Sequence, residues 1–145
     1  MSTRQGIDDE AYRKKLGELL ARLDGIRDVA DPAAVRRTAE QLRRLHYDVG
    51  IEDPEKDFLE MTKADIRREV RRIESLTFAD LRRDRSLEQD LERFLERDGA
   101  TESAYLNDIR LKRVSLILYH YELLTRLRAD DVEAWDTVEE LYGED

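Results

Sequence analysis

Apolar residues recur at three- and four-residue spacing along almost the whole chain, and this period places them on one face of successive α-helices. Runs of β-branched residues in strict alternation, which are typical of strands, do not occur. We therefore predict an all-α fold, a compact bundle of five to seven helices around a long apolar central helix at about 102–128. The middle of that helix is apolar on nearly every side, as expected for a helix that others surround.

Short polar motifs predict where several helices begin. Asp31-Pro32 combines an N-cap residue with proline at the first helical position, and the apolar stripe that follows continues through Leu45 and His46 to Val49. Ser86 with Gln89 fits a capping box, and Asp130 or Asp131 is the expected cap of the last helix. Thr77 and Asp80 are expected to begin a short turn through Leu81.

The chain has 145 residues, 40% of them hydrophobic, which suits one domain with its own core. We predict a single helical domain over residues 1–145. The absence of cysteine excludes a disulfide framework and any thiol chemistry. No apolar leader opens the sequence, and the longest uncharged run, eight residues over 114–121, is too short to span a bilayer. We expect a cytoplasmic protein without a membrane partner.

The formal net charge of −9 is unevenly distributed along the chain. Residues 129–145 hold eight acidic residues and no lysine or arginine, whereas residues 1–128 are nearly neutral. An acidic C-terminal helix at about 131–142 follows from this pattern. The net charge disfavours nucleic acid and favours a protein partner with a basic surface.

That C-terminal helix presents apolar side chains on one side. Two interpretations stay open: this side packs in cis against the rest of the bundle, or it docks into the groove of a partner protein. The candidate partner-binding residues are Val132, Trp135, Val138 and Tyr142.

Arg113 and His120 stand seven residues apart in the longest predicted helix, which puts both side chains on one face about 10 Å apart. The pair resembles the arginine–histidine signature of HEPN-domain proteins, small all-α modules that include ribonucleases. The resemblance implies a catalytic arginine that stabilises an anionic phosphorane-like transition state and a histidine that transfers protons. The alternative is a histidine at the edge of the core and an arginine paired with an acid.

Arginine doublets form a local positive stripe in the third predicted helix. Its members at four-residue spacing are Arg67, Arg68, Arg71 and Arg72. Such a stripe suits nucleic-acid binding by a small helical subunit, but acidic residues interrupt it, and a surface rich in ion pairs explains it equally well.

Metal and cofactor sites have no support in the sequence. His46 precedes an acidic stretch, yet neither histidine has the spacing to a second histidine or to a glutamate that metal sites in helical bundles use. We predict no metal and no cofactor.

The sequence as a whole favours a non-enzymatic helical interaction or assembly module, which is an adaptor or a small subunit of a larger complex. Such a module can also form a homodimer. The HEPN-like ribonuclease and the nucleic-acid-binding subunit are the alternatives.

Overall fold

The computed structural model describes residues 7–49, 56–97 and 99–143. Within these ranges the protein is all-α, and no strand is present. The predicted fold class is therefore confirmed. The seven α-helices of the described residues are α1 (Asp9–Gly25), α2 (Pro32–Arg44), α3 (Lys63–Glu74), α4 (Phe78–Arg83), α5 (Glu88–Leu95), α6 (Glu102–Arg128) and α7 (Val132–Tyr142), with short 3-10 turns at Phe58–Glu60 and Arg85–Leu87.

The chain divides into two compact units. Unit 1 comprises Met1–Arg22 and Val70–Ser115, and unit 2 comprises Leu23–Glu69 and Leu116–Asp145. Helices α1, α3 and α6 contribute residues to both units. The assignment of residues 1–145 to one domain, and the central position of the long helix, stay predictions.

Unit 1 has an apolar core that α4, α5 and α6 build. Amphipathic spacing places one side chain per turn in this core, and the rings of Phe94 and Tyr105 pack 5.1 Å apart at their centroids. The buried members of the cluster are Leu81, Leu91, Phe94, Tyr105 and Ile109.

Unit 2 is built on the second half of α6, with α2, α7 and the turn at Phe58–Glu60. Helix α2 packs against this turn, whose N-cap Asp57 accepts a hydrogen bond from the backbone N–H of Leu59 at 3.0 Å. Residues buried in this unit include Leu42, Phe58, Ile66, Ile117, Leu118, Leu124 and Val138.

Two of the predicted N-caps are present. Asp31 is the N-cap of α2, with proline following it, although its side chain makes no capping hydrogen bond, and Asp131 caps α7 by accepting a hydrogen bond from the N–H of Ala134. The turn expected at Thr77 and Asp80 is the start of the short helix α4, where the two residues form a reciprocal capping box. The expectation for Ser86 was wrong. Its N–H and its hydroxyl both donate to Asp84, at 3.0 and 2.6 Å, because a carboxylate two residues earlier satisfies them within a local turn.

Helix α2 ends five residues before the predicted stripe does. His46 lies in the left-handed region at φ 55°, and the Tyr47 N–H donates to the Leu42 carbonyl at 3.1 Å, as in a Schellman C-cap. His46 is exposed, so its expected place on the apolar stripe was wrong. Asp130, at φ 59°, takes the corresponding position after α6.

Candidate functional site

His120 lies in unit 2 among aromatic rings. It is 8% exposed, because the apolar residues around it in α6 turn that side of the helix into the core. Its Nδ1 lies 2.5 Å from the hydroxyl of Tyr47. The rings of Tyr47, Phe58 and Tyr119 stand edge-on to the imidazole, with centroids 5.5, 6.3 and 5.3 Å away. Tyr142 of α7 continues the cluster, since its ring centroid lies 4.9 Å from that of Tyr47.

The electrostatics of this aromatic cluster favour a neutral histidine. Burial lowers the pKa of His120, and the nearby carboxylate of Asp48 only partly opposes that effect. Burial also raises the pKa of Tyr47 far above its usual value, so this phenol keeps its proton. A hydrogen bond joins the Tyr47 hydroxyl to Nδ1 of the neutral imidazole, and either group can be the donor in it, depending on the tautomer. In either tautomer Nδ1 is engaged by Tyr47.

Arg113 belongs to unit 1 and has a carboxylate partner there. Its Nη2 lies 3.1 Å from Oδ2 of Asp84, and the side chains are 30% and 18% exposed. The neighbouring Tyr105 hydroxyl donates to Asp90 at 2.8 Å. The structure thus assigns Arg113 and His120 to different units with different partners. The HEPN-like activity of this pair stays a prediction.

The predicted partner-binding side of α7 divides between core and surface. Val138 is fully buried, and Val132 is 72% exposed. Trp135 is half-buried, and its Nε1–H donates to the Leu127 carbonyl of α6 at 3.0 Å. Tyr142 packs against Tyr47. These contacts attach α7 to unit 2 in cis, and partner binding by this side stays a prediction.

The arginine stripe of α3 has acidic partners along part of its length. Arg67 pairs with Asp24 at 3.0 Å, and Arg68 pairs with Asp65. Arg72 also has interactions of its own, and Arg71 is exposed. The ion pairs reduce the positive charge that the stripe presents to solvent. Nucleic-acid binding by these four residues stays a prediction.

Sequence reasoning missed an apolar surface on α6. Leu116 and Tyr119 were expected inside a helix buried on all sides, yet they are 38% and 55% exposed. With the half-buried Leu123 they form one stripe at spacings of three and four residues, which we call the α6 face. Polar residues at Ser115, Glu122 and Arg126 share this side of the helix, and that polar stripe is the signal that marks it as solvent-facing.

Net charge differs strongly between the two units. Unit 2 holds 21 acidic and 11 basic residues, a formal net charge of −10, whereas unit 1 holds 14 and 15, a net charge of +1. Helix α7 carries four exposed carboxylates in the described part of unit 2: Glu133, Asp136, Glu139 and Glu140. The acidity of the chain is therefore a property of unit 2.

The described ranges contain neither a candidate metal cluster nor a helix able to cross a membrane. No group of three or more histidine, aspartate and glutamate side chains there is placed to hold a metal ion. Most of the acidic stretch after His46, at 50–55, lies outside the described residues. Among the helices described, none combines the length and apolar character needed to cross a membrane.

Comparison with known protein families, with curated proteins and with solved structures gives no significant match.

Proposed function

We propose that the chain is a non-enzymatic helical interaction module, an adaptor or a small subunit of a larger assembly in the cytoplasm. One observation carries this proposal. Unit 2 holds four of the five large hydrophobic side chains that are exposed among the described residues: Leu116, Tyr119, Val132 and Leu141. Single exposed apolar residues are common, but Leu116 and Tyr119 adjoin on one helix face, where desolvation by a partner is favourable.

The arrangement of the titratable residues supports the same proposal. A catalytic histidine needs an accessible nitrogen with a pKa near the working pH. His120 is buried, its pKa is lowered, and its Nδ1 is hydrogen-bonded to the Tyr47 hydroxyl. Arg113 is paired with Asp84, so its charge already has a counterion. Both residues have structural partners that account for their presence.

The test uses the tagged full chain expressed in its source cells. Proteins that copurify with it are quantified against an unrelated helical control, and the purified complex is measured by light scattering. A partner in stoichiometric amount, or a stable homodimer, supports the proposal. A chain that stays a partner-free monomer over a wide concentration range contradicts it.

The same preparation separates the module from a ribonuclease. Purified wild type and His120→Ala are incubated with RNA, and the products are resolved by electrophoresis. We expect no cleavage by either protein. Cleavage by the wild type that His120→Ala loses would overturn the non-enzymatic proposal in favour of the HEPN-like alternative.

A further inference from the structure

We infer that the α6 face of unit 2 binds a basic amphipathic segment of a partner protein. The inference rests on the proposed function, because it names the surface and the partner chemistry of that interaction module. The partner segment would place an apolar side chain on Leu116 and Tyr119 and its arginine or lysine residues against the carboxylates of α7.

The apolar part of the surface is suited to a helix or an extended segment. Leu116, Tyr119 and Leu123 follow one another along about two turns of α6, the spacing at which amphipathic partners insert their anchors. Tyrosine is enriched at binding hot spots, because it buries a large ring at a low cost in side-chain entropy. The 55% exposure of Tyr119 leaves one part of its ring open to such contact.

The acidic part lies on α7, which the aromatic cluster connects to the α6 face. The ring of Tyr47 lies 5.5 Å from that of His120, the neighbour of Tyr119, and 4.9 Å from that of Tyr142, centroid to centroid, so Tyr47 links α6 to the end of α7. Glu139 precedes Tyr142 by one turn and is exposed. A cation near Tyr119 would meet both an aromatic face and a negative field.

Charge decides between the possible occupants. A second copy of unit 2 would bring a net charge of −10 against an equal charge, and like-charge surfaces repel at an interface. A basic segment instead gains attraction to the carboxylates of α7 and speeds its own association. We therefore assign the α6 face to a basic partner segment.

The experiment uses the purified full chain and two synthetic peptides. Both form an amphipathic helix with the same leucine stripe, one with flanking arginines and the other with glutamates in their place. Binding is measured by fluorescence anisotropy as the salt concentration is raised. We expect the arginine peptide to bind, its affinity to fall with salt, and the glutamate peptide to bind at least about tenfold more weakly.

Matched variants locate the binding. Tyr119→Gln and Leu116→Ser should each weaken the arginine peptide by about tenfold or more, whereas Leu95→Ser, at a leucine of unit 1 that is 36% exposed, should leave it unchanged. Glu139→Gln should reduce the salt dependence. Thermal unfolding confirms that each variant folds. If Leu116→Ser does not fold, the Tyr119→Gln variant alone tests the α6 face.

The opposite outcomes distinguish the two proposals. Three results would overturn the inference. The two peptides bind the wild type equally well, or Tyr119→Gln binds the arginine peptide as tightly as the wild type does, or Val132→Ser loses binding while Tyr119→Gln keeps it. If wild type and Tyr119→Gln then capture the same cellular protein, the interaction module stands with a different surface. If neither captures a protein beyond the control and both are monomers, the proposed function fails as well.

Discussion

Replacement of Arg128 by methionine should destabilise unit 2 by removing a buried hydrogen-bond donor. Arg128 is 2% exposed and lies at the end of α6. Its Nη2 donates to the Leu59 carbonyl at 2.9 Å, and its Nη1 donates to the Val29 carbonyl at 3.4 Å. One guanidinium thus connects α6 with the loop after α1 and with the turn at Phe58–Glu60.

The magnitude follows from the groups left behind. A buried carbonyl without a donor costs about 1–3 kcal/mol, and the longer bond to Val29 lies at the low end of that range. Methionine fills a similar volume, so the cavity term is small. Burial desolvates the guanidinium of Arg128 and lowers its pKa, so removal of the charge returns part of that penalty. The expected net loss is about 2–3 kcal/mol.

The free energy of unfolding is measured with urea and the Tm by heating, and both transitions are followed by the fluorescence of Trp135, which lies in unit 2 and reports on its packing. A chain of this size should lose about 4–12 °C in Tm for that change in free energy. Arg126→Met is the matched control on the same helix, since Arg126 forms an exposed ion pair with Asp131 at 2.9 Å, and should change stability by less than about 1 kcal/mol.

Two results would refute the reasoning. If Arg128→Met matches the wild type or exceeds it in stability, the desolvation of the guanidinium outweighs its hydrogen bonds. If Arg126→Met costs as much as Arg128→Met, burial is not what makes the interaction valuable.

Three further changes test single contacts. Burial opposes ionisation of Asp65, but hydrogen bonds from Lys56 and Thr62 lower its pKa to about 2 from 3.8. Asp65→Asn should therefore lower the free energy of unfolding by about 2 kcal/mol at neutral pH, as measured by urea unfolding. This difference between variant and wild type should shrink as the pH falls from about 4 to 2. Because burial lowers the pKa of His120, this histidine is protonated at a higher pH in the unfolded chain than in the folded one, and Tm should fall as the pH drops below 6.5. In His120→Phe the fall in Tm should be smaller, and an identical slope of Tm against pH in the two proteins would contradict this. His46 has a left-handed backbone, so His46→Gly should raise the free energy of unfolding by about 0.5–1 kcal/mol, whereas His46→Val should lower it. A glycine variant that is less stable than the wild type would exclude backbone strain at this C-cap.

Much of the local structure could be predicted, because it depends on neighbours in sequence. The start of α2 after Asp31 and the cap at Asp131 need only residues within three positions of each other. Ser86 was misread because two side chains can accept from its N–H, that of Asp84 two residues earlier and that of Gln89 three residues later, and Asp84 is the acceptor in the structure. The end of α2 was misread because histidine rarely takes the left-handed conformation that glycine adopts readily.

The candidate site was harder to predict from the chain alone. Arg113 and His120 share a helix and a spacing, but neither the ion pair with Asp84 nor the contact with Tyr47 follows from that spacing. The partner of Arg113 is 29 residues away, and the partner of His120 is 73 residues away.

The sequence by itself determined the all-α class, most helix starts and the excess of acid near the C-terminus, since periodicity, caps and charge are properties of neighbouring residues. Only the tertiary structure decided that Tyr119 is exposed while Arg128 is buried. Both lie on α6, and their environments depend on which distant segments pack against each side of that helix. For Arg128 these are Val29 and Leu59, 99 and 69 residues away. The polar residues that share a side with Tyr119 indicate that this side of α6 faces solvent, but the burial of Arg128 is a property of contacts between distant segments, and the local pattern does not contain it.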